Sequence, residues 1–160
     1  MLRRTYNPTK QRDREPGTIA PLSKPPNYAG GVTALPKTEP RRNPALLAMA
    51  KGKPCLLMAV EACLGPDGST TVACHSNQGR HGKAAARKAD DHYTVWGCAV
   101  CHQWLDQGKA LKAEKTRTWG AAYILQLREW SRLIIGGTDA ERKAAAWAIE
   151  QFERDTHGIR

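Results

Sequence analysis

With 160 residues, 41% of them hydrophobic and only 6% aromatic, the chain has material for one small core plus extensions and no more than a minor second lobe. It contains no run of about 18 apolar residues that would span a bilayer. Its polar start, Met1 to Pro8, lacks the apolar stretch of a secretory leader, so the expected compartment is a reducing one, where five cysteines point to metal ligation before disulfides. The formal charge of +10 is uneven: residues 1–54 hold 11 Lys and Arg against 3 Asp and Glu, residues 55–108 hold 4 against 5, and residues 109–160 hold 10 against 7. A near-neutral centre behind a basic leading segment fits a polyanionic partner, because each phosphate neutralised releases counterions. A solvated tail that only aids solubility would give the same composition.

Residues 1–40 hold seven prolines and keep no period of 2 or 3.6, which predicts an extended or disordered basic arm with Arg3, Arg4, Lys10, Arg12 and Arg14 as its phosphate contacts. Asn43-Pro44 then signals a helix start, with helix formers over residues 45–51 and a stop at Gly52. Leu46, Leu47 and Met49 are its inward candidates. Cys55 and Cys63 bracket a loop, and residues 64–69 are punctuated like a surface turn. Residues 70–75 and 93–96 are β-prone and predict a hairpin, with Gly97 turning the chain after it. Between the strands, residues 76–91 read as a long polar, basic loop carrying Arg80, Lys83, Arg87 and Lys88, with His81 and the neighbouring His92 expected in solvent. A helix over about 100–107, stopped by Gly108, would place His102 and Asp106 on one face, four residues apart. Apolar positions 119, 123, 124, 127, 130 and 134 predict a helix from Trp119 to Ile135. Thr138-Asp139 caps a last helix with Ala145, Ile149 and Phe152 inward. Trp119, Trp130 and Trp147 are expected in the core. The organisation is thus an arm over 1–40, a core domain over 41–116, and a helical extension over 117–160.

The chemistry concentrates in the middle. Cys55 and Cys63 are spaced C-x7-C, and Cys98 and Cys101 are spaced C-x2-C. Two such pairs converging from distant sequence close one tetrahedral thiolate site for structural Zn2+. A hairpin followed by a helix, with a histidine on the first strand and ligands on the helix, is the ββα-metal arrangement for phosphodiester hydrolysis. His75 is the candidate general base, since a neutral imidazole accepts a proton from water near pH 7. His102 and Asp106 would hold a divalent cation opposite it. Asp91 would be a further ligand or would fix the loop.

The run His75-Ser-Asn-Gln-Gly79, then Gly82-Lys83, Lys88-Ala-Asp-Asp91 and Cys98-x2-Cys-His102-x3-Asp106-Gln-Gly108, preceded by Gly52-Lys-Pro-Cys55, resembles the YbcO-like phage and prophage proteins of the HNH (ββα-metal) endonuclease superfamily. The resemblance covers roughly Arg41 to Lys109. It implies an α+β fold: a small zinc-stapled HNH-like core with an extended basic N-terminal arm and C-terminal helices. It also implies a metal-dependent DNA endonuclease of the bacterial cytoplasm, acting in recombination, repair or genome processing, with a recombinase or another phage or host replication-recombination protein as partner. On this likeness the four cysteines hold structural Zn2+. His75 and His102 are the outer letters of HNH, Asp91 stands nearest the middle one, and Mg2+, Mn2+ or Zn2+ serves catalysis. Cys74 occupies the place where many HNH enzymes carry an acid or histidine. A non-catalytic zinc-containing DNA-binding or adaptor protein is the alternative built on the same scaffold.

Overall fold

In the computed structural model, residues 39–158 are described. Arg3, Arg4 and nearly all of the expected arm lie outside them. The first helix, α1 (Pro44–Ala48), starts where the sequence indicates, with Asn43 Oδ1 accepting the Leu46 N–H at 3.0 Å and Pro44 filling the first position. It ends three residues short of the expected Lys51. Residues 49–52 continue as turns, and Gly52 takes φ +76°, open to a residue without a Cβ. Leu46 and Met49 are buried, and Ala50 joins them.

Strands β1 (Val72–His75) and β2 (Thr94–Gly97) pair antiparallel, with Val72 opposite Gly97 and His75 opposite Thr94. All four β2 residues are buried, although the sheet has two strands among the described residues. Side chains and loops take the place of a third strand. Gln126 Oε1 accepts the Trp96 N–H at 2.8 Å, and the Leu56 and Leu57 N–H groups donate to Trp96 O at 2.9 and 3.2 Å. The strand's outer edge is therefore satisfied without another strand. Gly97 closes the strand instead of turning the chain. A Cβ there would sit 2.6 Å from Cys74 Sγ, so the glycine makes room for a buried sulfur.

Helix α2 (Ala99–Gln107) follows at once, with Cys98 at its N-cap. Helix α3 (Lys112–Gly136) starts seven residues before the expected Trp119. Its first two turns are polar and carry no apolar stripe, so periodicity is blind to them. Ile124 proves 56% exposed. At 100° per residue it lies about 140° around the helix from Trp119, whereas Ala122, Tyr123, Gln126 and Trp130 stay close to the buried line. Helix α4 (Asp139–Thr156) begins with a full capping box between Thr138 and Glu141. It packs along α3 through Ala144, Ala145 and Ala148, small residues that let the two helices approach. No helix among the described residues is long and apolar enough to cross a membrane.

The segment between the strands is not a loose excursion. His81 is 9% exposed, stacks on Tyr93 with ring centroids 3.9 Å apart, and lies 2.7 Å from Ser76 Oγ. His92 is fully buried, with Nε2 3.1 Å from Asp155 Oδ2. Both were expected in solvent. The partner that makes His92 buriable sits in α4, 63 residues on. Asp155 also accepts from Tyr93 Oη at 2.8 Å and from Arg41 Nη2 at 2.7 Å, and Arg41 Nε reaches Asp90 at 3.2 Å. One carboxylate thereby ties the start of the described chain, the inter-strand segment and the last helix together.

Candidate active site

Two groups of side chains converge around α2. The first is the cysteine cluster. Cys98 caps the helix, Cys101 sits in its first turn, and Cys55 and Cys63 come from the segment between α1 and β1. Met58, at φ +37°, makes a left-handed bend between those last two. All four sulfurs lie within 4.8 Å of one another, and Cys63 Sγ is 3.9 Å from Cys98 Sγ. Four thiolates at 2.3 Å from one tetrahedral zinc would stand about 3.8 Å apart. Backbone donors already point at the sulfurs: Ala59 N–H at Cys101 Sγ and Gly65 N–H at Cys63 Sγ, each at 3.3 Å. Burial works against a thiolate at Cys98, yet N–H groups from Cys101 and Leu64 bring that thiol down to about 7. Burial pushes Cys63 and Cys101 the other way, up. So close a set of thiols cannot ionise together unaided, and a divalent cation removes that conflict. The cluster can hold a metal such as zinc.

The second group lines an open cleft of about 880 Å3 that includes His75, His102, Asp106, Lys83 and Lys88. His75 ends β1, and strand alternation turns it away from Cys74, which is fully buried in the core. His75 Nε2 lies 3.0 Å from Asp91 Oδ1. Asp91 is 2% exposed and surrounded by donors: Oδ1 also accepts from Arg42 Nη1 at 2.9 Å, and Oδ2 accepts the Asn43 N–H at 2.8 Å. Burial opposes its charge, but the bonds from His75, Asn43 and Arg42 hold its carboxyl below the ordinary range. It does not line the cleft, and its contacts tie His75 to Arg42 and Asn43 at the start of the described chain. Burial also lowers His75 below an ordinary imidazole, with Asp91 pulling the other way. The ring is therefore neutral near pH 7, and pairing Nε2–H with Asp91 leaves the lone pair on Nδ1.

On α2, His102 Nε2 and Asp106 Oδ2 stand 3.2 Å apart, both partly exposed. Two adjacent ligands of an octahedral cation at 2.1 Å would be about 3.0 Å apart, so a nitrogen and an oxygen in this relation fit a small divalent ion. Asn77, to which the sequence reading gave no role, donates from Nδ2 to Asp106 Oδ1 at 3.1 Å and to Leu105 O at 3.4 Å. Its signal was spacing: two residues beyond His75, it continues the strand's cleft-facing side. Lys112 and Lys115, at the start of α3, also line the cleft and had no local signal. Of the loop cations, Lys83 and Lys88 line it and Arg80 and Arg87 do not; Arg87 lies 3.5 Å from Asp90.

A family model described as "Putative nuclease YbcO" matches residues 45–133, more than half of the chain. The match takes in every cysteine, His75, Asp91, His102 and Asp106, and runs well into α3. No curated protein and no solved structure matches.

Proposed function

The chain belongs to the YbcO family, and from that premise we propose that it is a metal-dependent DNA endonuclease of the HNH (ββα-metal) type, of phage or prophage origin, serving recombination, repair or genome processing. One observation carries this reading: a single cleft joins an imidazole backed by a buried carboxylate to a His–Asp pair on the following helix. His75 Nδ1 takes a proton from the water that attacks phosphorus, and Asp91 holds the ring and stabilises the imidazolium that forms. Such a base contributes about 10²–10⁴-fold. The leaving oxygen takes its proton from solvent, giving an alcohol and a phosphate monoester. Lys83 and Lys88 neutralise the flanking phosphates. His102 and Asp106 would hold Mg2+, Mn2+ or Zn2+; a bound ion of this kind supplies charge neutralisation at the phosphoryl and leaving oxygens. Zn2+ on the four cysteines would fix the first turn of α2, and with it His102 and Asp106, which follow Cys101 on the same helix. The basic arm, through Arg3 and Arg4, would add phosphate contacts.

The test incubates the protein with plasmid and branched DNA and with Mg2+, Mn2+, Ni2+ or Zn2+, beside His75→Ala and His102→Ala. Nicking by the wild type, reduced at least a hundredfold in both variants, is the expected result. Equal nicking in all three proteins, or none in any, would remove the enzyme reading and leave a zinc-containing DNA-binding or adaptor protein.

A further inference from the structure

The helix expected from Trp119 begins at Lys112, and its added turns carry two lysines. We infer that its first turns, through Lys112 and Lys115, form the second wall of a phosphate-binding channel. A nucleic-acid backbone would then run between them and Lys83 and Lys88, across His75 and His102. The inference deepens the nuclease reading and rests on it. Lys112 and Lys115 are three residues apart, so they share one helix face, and both line the cleft that holds His75, His102 and Asp106. Lys83 and Lys88 reach the same cleft from the inter-strand segment, a different part of the chain.

Charge is the argument. Elsewhere on the described surface some cations are paired with carboxylates, as Arg132 is with Glu129, Arg142 with Asp139, Arg154 with Glu150 and Lys53 with Glu141, while others stand singly; what sets the cleft apart is four lysines lining one concavity. Among the described residues, none of the four cleft lysines is in an ion pair. Asp106, the one carboxylate on the cleft wall, is taken by His102 and Asn77. Lys115 Nζ lies 6.0 Å from the Trp104 ring, a contact that places the ammonium without neutralising it. Four like charges lining one concavity repel one another, and among the described residues Asp106 is the single carboxylate on its wall to offset that cost. A chain of phosphates offsets it, and lysines gripping phosphates carry no base information, so binding through this wall is tolerant of sequence.

The experiment measures binding of the full-length protein to a short DNA duplex, without divalent cation, between about 50 and 200 mM salt. It compares wild type, Lys112→Gln/Lys115→Gln, and a charge-matched control whose residues do not line the cleft, Arg132→Gln/Lys143→Gln. Losing two phosphate contacts lowers the slope of log K against log[salt] by about 2. The expected result is that drop in the cleft double variant alone, with melting temperatures alike in all three proteins. In cleavage assays the same variant raises KM and leaves kcat nearly unchanged. An unchanged slope overturns the inference, as does an equal drop in both doubles, which would reflect net charge only. Wild type that binds DNA but never cuts it would sink the endonuclease reading and leave the wall standing. Wild type that does not bind DNA overturns the wall as well.

Discussion

Replacing Asp91 by Asn changes almost no volume and creates a hydrogen-bond conflict that the surroundings cannot relieve. Three donors converge on the carboxylate: His75 and Arg42 on Oδ1, and the Asn43 N–H on Oδ2. An amide has one acceptor atom. If its oxygen faces His75 and Arg42, its NH2 meets the Asn43 N–H, leaving a buried donor facing a donor at a cost of about 1–3 kcal/mol. The charged bond to Arg42 is lost too; Arg42 is 38% exposed, so that loss falls near the low end of its range. If the amide turns over, its NH2 donates to His75 Nε2 and drives the ring proton to Nδ1, the nitrogen that must accept one. Either way Asp91→Asn should lose about 2–4 kcal/mol of unfolding free energy. In the second orientation the contribution of the base, about 10²–10⁴-fold in rate, goes with it. Urea unfolding and single-turnover cleavage of plasmid, done on the same preparation, read both. Wild-type stability together with wild-type rate would refute the reasoning. Lost stability at full rate would keep Asp91 in the fold and remove it from the reaction.

Burial lowers His81 to about 4 and also lowers His75 and His92. Between those values and about 6.5 the unfolded chain binds more protons, so stability is full above pH 6.5 and falls as pH drops towards 4. His81 alone accounts for about 3 kcal/mol of that loss. Urea midpoints that stay flat from pH 7 to 4.5 would contradict its burial. Gly97→Ala should cost about 1–3 kcal/mol by overpacking, because the new Cβ would lie 2.6 Å from Cys74 Sγ. Adding Cys74→Ala should recover most of it, and a double-mutant cycle with additive losses would show the sulfur is not the obstacle. Metal analysis of the purified protein should find about one tightly held zinc, and stripping it, or Cys98→Ser, should lower the melting temperature sharply, since such sites supply on the order of 10 kcal/mol. Identical melting with and without metal would remove the structural role.

Much of the site could be read along the chain because its rules are short-range. A C-x2-C pair at a helix start and a C-x7-C loop are ligand spacings whatever surrounds them, and the four sulfurs do converge. Asn43-Pro44 and Thr138 with Glu141 satisfy helix N–H groups within three residues, so both starts were legible. His102 and Asp106 share a face by helix geometry alone. The misses have the opposite character. His81 and His92 sit in a polar stretch, and nothing within that stretch tells that Ser76, Tyr93 and Asp155 enclose them. The early start of α3 escaped because polar turns carry no period, and those turns bring Lys112 and Lys115 to the cleft.

Spacing between neighbours settles where helices begin, which side chains share a face and which thiols come in pairs, since those outcomes depend on energies local to a few peptide units. Burial of a titratable group does not depend on its neighbours in sequence. It is tolerable only once a distant partner arrives, as Asp155 does for His92 and Arg42 does for Asp91. Which donors surround Asp91, and which lysines line the cleft beside His75 and His102, were therefore decided by the packing of segments far apart in the chain.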